Sequence, residues 1–175
     1  ELQRAKGGQL VNVGRTWKNG DKLILPLPMP VSTSNWGRNS RSIERGPLVY
    51  ALKLGERWEK GNDKHEGDYF SVYPTANWNY GLTQNVIADP AKALQVSVKS
   101  LSGKFVWNEA HAPIEITATA REIPDWKLTG GVAYQPVTDR DGEYRGAVSD
   151  TLHTITLIPY GFTKVRIVAF PVVKK

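Results

Sequence analysis

Ile114-Glu115-Ile116-Thr117-Ala118-Thr119-Ala120-Arg121 decides the fold class, because apolar and polar side chains alternate along it without a break. Successive side chains of an extended chain point to opposite faces, so this stretch reads as a strand with one packed and one wet face. The same period of two recurs at Leu23, Leu25, Leu27 and Met29, at Leu94, Val96 and Val98, and at Val165 and Ile167. Further strands are expected at 10–17, 48–54, 104–107 and 151–158, where short apolar or β-branched runs end in turn residues. Asn19-Gly20 falls between the first two strands and predicts an antiparallel hairpin.

Helical signals are sparse. Asp89-Pro90-Ala91-Lys92-Ala93 predicts one short turn, capped by Asp89 with Pro90 at the first helical position. Eight or so short strands, punctuated by 16 Gly and 11 Pro, point to an all-β protein. The expected architecture is an antiparallel β-sandwich of the jelly-roll kind with few or no helices, and a closed barrel is its structural rival. Residues 1–175 read as a single region. Its charged, aperiodic stretch 55–68 is either a long loop, which is favoured, or a boundary between two sub-sandwiches.

Composition narrows the functions. Hydrophobic residues make up 40% and charged residues 23%, which suits a globular chain able to bury a real core. The absence of cysteine removes disulfides, thiolate metal sites and a cysteine nucleophile. No apolar run approaches the roughly 20 residues needed to cross a bilayer. The net charge of +6 comes from singly scattered Lys and Arg, so nucleic acid is not an expected partner. An opening at Glu1-Leu2-Gln3-Arg4 shows no export signal and reads as an excised piece.

Candidate chemistry is thin. Glu44, Glu109, Glu115 and Glu122 lie on or beside strands, where solvated positions are the default, and no carboxylate pair is evident. His65, His111 and His153 are too dispersed for a metal site, and Ser149, Asp150 and His153 lack the strained elbow of a nucleophilic serine. Asp139-Arg140-Asp141-Gly142 echoes the opening of a calcium loop, with Asp139 and Asp141 as ligands. An Asp-Gly turn is the plainer reading, because position twelve is Asp150 and not a bidentate Glu. The 6 tryptophans suggest a flat aromatic surface for sugar rings, with Trp78, Tyr80 and Trp126 as candidate carbohydrate-binding residues.

Six phrases in a fixed order carry a resemblance: Trp17-Lys18-Asn19-Gly20-Asp21 with Leu25-Pro26-Leu27-Pro28-Met29-Pro30, then Glu44-Arg45-Gly46-Pro47-Leu48-Val49-Tyr50, then Trp78-Asn79-Tyr80-Gly81-Leu82, Arg121-Glu122-Ile123-Pro124-Asp125-Trp126 and Leu157-Ile158-Pro159-Tyr160-Gly161. Together they resemble the C-terminal β-sandwich region of glycoside hydrolase family 127, the β-L-arabinofuranosidase family. The resemblance implies a bacterial parent with a helical (α/α)6 barrel upstream, absent from this chain, where a glutamate and a zinc-bound cysteine cleave arabinofuranosides. It assigns no catalytic residue and no cofactor here, and makes that upstream domain the expected partner. It also implies that the chain enters after the region's first strands, leaving an unpaired sheet edge. Gly46-Pro47 and Gly161 are expected at strand starts and turns, Pro159 at a strand end, and Leu48, Tyr50 and Leu157 facing inward.

The expected function is therefore a non-catalytic accessory region that supports the catalytic barrel or mediates assembly, including a homodimer. A carbohydrate-binding module and an adhesion or structural interaction domain are the alternatives. Enzymes of this kind are often exported, which is the only pointer to location.

Overall fold

The stretch at 114–121 becomes the hub of the sheet. A computed structural model describes residues 6–100, 103–134 and 144–174. Its strands are β1 (Val31–Asn35), β2 (Ser40–Arg45), β3 (Leu48–Leu52), β4 (Glu56–Asp63), β5 (Gly67–Pro74), β6 (Tyr80–Thr83), β7 (Gln95–Val98), β8 (Ile114–Glu122), β9 (Leu128–Thr129), β10 (Val132–Ala133), β11 (Leu152–Pro159) and β12 (Phe170–Val173). Two short helices, α1 (Gln84–Ala88) and α2 (Pro90–Ala93), connect β6 to β7. β8 pairs with β11 from Ile116 to Arg121, while β7 and β6 pair with its two ends. Ile116, Ala118 and Ala120 are buried, as their alternation requires, and face Leu157, Ile155 and His153 in register.

The sheet is not half of a sandwich. β2 pairs with β12 at Ser40–Arg41 and with β3 at Ile43–Arg45, which completes the circuit β2–β12–β6–β8–β11–β3 and closes a six-stranded barrel. The expected antiparallel, jelly-roll sandwich is corrected on both counts, since β12 and β6 also run parallel and make the barrel mixed. The physical reason is that a period of two records one covered face per strand. It does not record whether a second sheet or the curl of the same sheet provides the cover. Small inward residues, Ala118 and Ala120, leave the room a tight curl needs.

Inside the barrel, Ile43, Tyr50, Leu52, Leu82, Ile116, Ile155, Leu157 and Phe170 form one cluster that extends to Leu54, Val86 and Leu94. Each such side chain contributes on the order of 1.5–3 kcal/mol when fully buried. Val86 and Leu94 come from α1 and the end of α2, so the helical pair packs onto this core. Asp89 does cap α2, accepting from the Lys92 amide at 3.3 Å, with Pro90 opening the helix. α1 was not legible: Thr83 precedes it without a side-chain cap, and Val86 is its one buried residue.

Several expected elements differ. Residues 18–21 do turn, with the Asp21 amide donating to Lys18 O at 3.1 Å, but no ladder joins 10–17 to 23–29. Pro26, Pro28 and Pro30 remove alternate amide donors from the second segment, and a lone two-stranded hairpin is marginal in water. The stretch 55–68 is not a loop. It builds most of a long ribbon in which β4 and β5 pair with each other alone. Residues 104–107 and 165–167 form no strand, although Val165 and Ile167 do pack against the core. In β7 the alternation misleads, because Leu94 is buried but Val96 and Val98 at the sheet margin are exposed.

Turn chemistry fares better. Gly46 links β2 to β3 with φ of +57°, β11 ends at Pro159, and Gly161 lies in a 3-10 turn, Tyr160–Phe162. Tyr50 and Leu157 are buried as expected, whereas Leu48 is exposed beside the turn. β1 has a partner on one edge only, as does β7, so the barrel closes while two outer edges stay open.

Phe170 sits where β12 meets β2 and is fully buried. Phe170→Ala is expected to cost about 3–5 kcal/mol in urea unfolding. Trp36→Ala, on an exposed ring at the end of β1, should stay within about 0.5 kcal/mol. Equal effects would contradict closure at this seam.

Candidate functional site

Two of the three candidate sugar-binding residues, Trp78 and Trp126, come together, mainly as packing. Trp126 is 7% exposed, so its ring offers almost no face to solvent. Its indole N–H donates to the Tyr134 carbonyl, and its ring meets Trp78 edge-on at 5.0 Å and 70°. Trp78 is half-buried and bridges the barrel core to a side cluster of Ile123, Trp126 and Val173. Tyr80 begins β6 opposite Glu122, with its ring 5.4 Å from His153. Only the outer parts of Trp78 and Tyr80 are left to meet a ligand. Asp139 and Asp141 lie outside the described residues.

The carboxylates are engaged one by one. Glu44 accepts from Ser34 Oγ at 2.5 Å. Glu115 is held between Lys53 at 2.9 Å and Lys99 at 2.6 Å, and their hydrogen bonds lower its pKa. Glu122 lies 3.4 Å from Asn79 Nδ2. Glu109 accepts from the Gly55 amide at 3.0 Å through Oε2, while its buried Oε1 has no partner. Glu115 and Glu122 stand at opposite ends of β8, roughly 23 Å apart by strand rise and on opposite faces, too far for the about 5–9.5 Å of a glycosidase pair. Among the described residues no three His, Asp or Glu side chains converge to hold a metal ion. Ser149 Oγ accepts from the Thr151 amide, two residues along, and His153 packs on Tyr80.

Exposed aromatic side chains gather in two other places. On the ribbon, Trp58 and Phe70 share one face at 6.0 Å, while Arg57 lies 4.8 Å over Tyr73 on the other. Tyr69 lies across Gly61, where any Cβ would collide with the ring. Near the barrel, Phe105, Trp107 and Phe162 form a three-ring group beside Tyr160 and Arg166. The sequence does not single out Trp107 or Trp58, because exposure is decided by neighbours distant in the chain.

Three phenols, Tyr50, Tyr80 and Tyr144, shape the alkaline response, and of these Tyr50 is fully buried. Burial raises the pKa of Tyr50, against the lowering influence of Arg45, and burial aided by Glu122 raises that of Tyr80. Tyr50 also keeps a buried hydroxyl with no hydrogen-bond partner of good geometry. Searches against protein-family models, curated proteins and solved structures find no match for this chain.

Trp126→Ala is expected to lower stability by about 3–5 kcal/mol and to flatten the near-ultraviolet dichroism of the Trp78–Trp126 pair. An unchanged denaturation midpoint would refute the packing role. Folded phenols with raised pKa hold protons that the unfolded chain releases near pH 10. Stability should therefore be intact below about pH 10 and fall as pH rises through the folded values. Tyr80→Phe should soften that fall, as followed by thermal melts across the alkaline range.

Proposed function

We propose that this chain is a non-catalytic supporting module of a larger sugar-cleaving enzyme of the β-L-arabinofuranosidase kind, seated against that enzyme's helical catalytic domain. The six ordered phrases that resemble the family support the parentage, from Trp17-Lys18-Asn19-Gly20-Asp21 to Leu157-Ile158-Pro159-Tyr160-Gly161. The observation that carries a docking role is the segment 23–29. Leu23, Ile24, Leu25 and Leu27 are each at least 67% exposed, and no strand of the described residues pairs with them. Covering such side chains contributes on the order of 1.5–3 kcal/mol apiece, and contiguous exposed apolar surface of this kind marks an interaction site.

The segment is already tethered at its far end. Met29 lies over Gly46 in the β2–β3 turn, so the apolar run leaves the barrel from a fixed point. Prolines at 26, 28 and 30 hold it extended, which lowers the ordering cost on docking. The zinc-bound cysteine of the family has no counterpart in a chain without cysteine, so that chemistry belongs to the parent and no step is assigned to these residues.

Two measurements test this reading. The purified chain should release no sugar from arabinofuranosides above the buffer rate, and measurable turnover would end the proposal. Amides of 23–29 should exchange at least about tenfold slower when the chain is produced joined to its upstream catalytic domain than when it is alone. Identical exchange in both forms would equally end it.

A further inference from the structure

The three-ring group beside the barrel has the features of a built binding surface. The benzene half of Trp107 lies over Gly161, where an added Cβ would stand 3.1 Å from Cζ3. The buried Phe162 meets the indole at 4.7 Å and 40°, and Phe105 abuts it edge-on at 5.0 Å and 88°. Backbone and two rings thus fix Trp107, yet it remains 59% exposed. A large ring held rigid while open to water suits a ligand with a flat apolar face, because little freedom is lost on binding.

The neighbouring residue adds charge. The exposed Tyr160 carries the Arg166 guanidinium 4.2 Å above its ring. Arg166 Nε donates to Thr163 O at 2.8 Å and Tyr160 O at 3.3 Å, and Nη1 reaches the Tyr160 hydroxyl at 3.4 Å. The guanidinium is therefore oriented from its Nε side, and none of its nitrogens pairs with a carboxylate among the described residues. Glu56 accepts from the Lys164 amide at 2.5 Å and Thr163 Oγ1 at 3.3 Å, and Glu109 accepts from Gly55 through one of its two oxygens. Lys104 and Lys164, near these residues in the chain, are exposed.

We infer that this face binds an acidic saccharide, stacking the apolar side of a sugar ring on Trp107 and pairing a uronate carboxylate with Arg166. Gly161 under the indole and Tyr160 under the guanidinium are consecutive residues, about 3.8 Å apart at Cα, so both elements lie within the length of a short oligosaccharide. A planar fork matches a carboxylate two-pronged, whereas a neutral sugar leaves it unused. The inference is independent of the docking role. Unprotected amides at 23–29 would leave it standing, and failure to bind sugar would leave the docking role standing.

The test is calorimetric titration of the full chain with an oligogalacturonate and with a neutral arabino-oligosaccharide of equal length. The acidic sugar should bind more tightly and weaken with added salt. Trp107→Ala should weaken binding about tenfold or more, and Arg166→Gln about tenfold with loss of the acidic preference. Trp58→Ala, on the ribbon, should change nothing. In the unaltered chain the Trp107 indole N–H resonance should shift during titration, which keeps the test decisive if Trp107→Ala misfolds. Absence of heat with both sugars, equal affinity for both, full binding by Trp107→Ala, or a stationary indole resonance would each overturn the inference. So would binding to anionic lipid vesicles without binding to the oligosaccharide, which would assign the face to a membrane surface.

Discussion

The architecture depends on how β2 shares its hydrogen bonds. β1 runs along it from Val31 to Asn35, while β12 and β3 engage its two ends, and that double engagement turns an open sheet into a barrel. The seam is short: β12 meets β2 through Phe170 and Pro171, and Pro171 has no amide to donate. Side chains therefore carry the closure more than the ladder does. Ile43, Tyr50 and Phe170 are fully buried at or beside it. The Tyr50 hydroxyl is buried in that same region with Arg45 as its poorly aligned neighbour, a cost that the surrounding apolar burial offsets.

Polar chemistry is kept outside this core. Lys53 and Lys99 converge on Glu115, tying the strand end after β3 and the one after β7 to β8. All three groups are partly solvated, so each pair is worth about 0.2–1 kcal/mol and orients the strands more than it stabilises them. Glu56 at the root of the ribbon and Glu109 beside it are used instead as backbone acceptors, at Lys164 and Gly55. Among these residues carboxylates act as fasteners for turns and segment ends.

What could be read in the sequence follows from what a residue pattern records. The runs at 114–121 and 151–158 were legible because one side of each strand meets only apolar neighbours. The barrel was not, since Ala118 and Ile155 alternate identically whether the facing wall is a second sheet or the same one. Both faces of β4 and β5 meet solvent, so the ribbon has no alternation to betray it. At 23–29 the alternation was real, but the prolines between the leucines strip the donors from one edge and no strand pairs with the other. Aromatic content pointed to possible surfaces, yet Trp126 and Trp107 look alike in sequence. One is sealed by Trp78 and the Tyr134 carbonyl, and the other is propped on Gly161 with its outer side free.

The parallel pairing of β12 with β6, together with its contact to β2, bears on the order of events during folding. Phe170 must find Arg41, 129 residues earlier, and Val172 must find Leu82. Such distant partners give a slow search, because the entropy of closing a large loop is lost before any contact compensates for it. During synthesis, β2, β3, β6 and β8 emerge well before the strand that completes their circuit. Until it arrives, the greasy sides of Ile43 and Leu82 lack their final cover, and the nascent polypeptide passes through an interval of exposure to self-association and to chaperones.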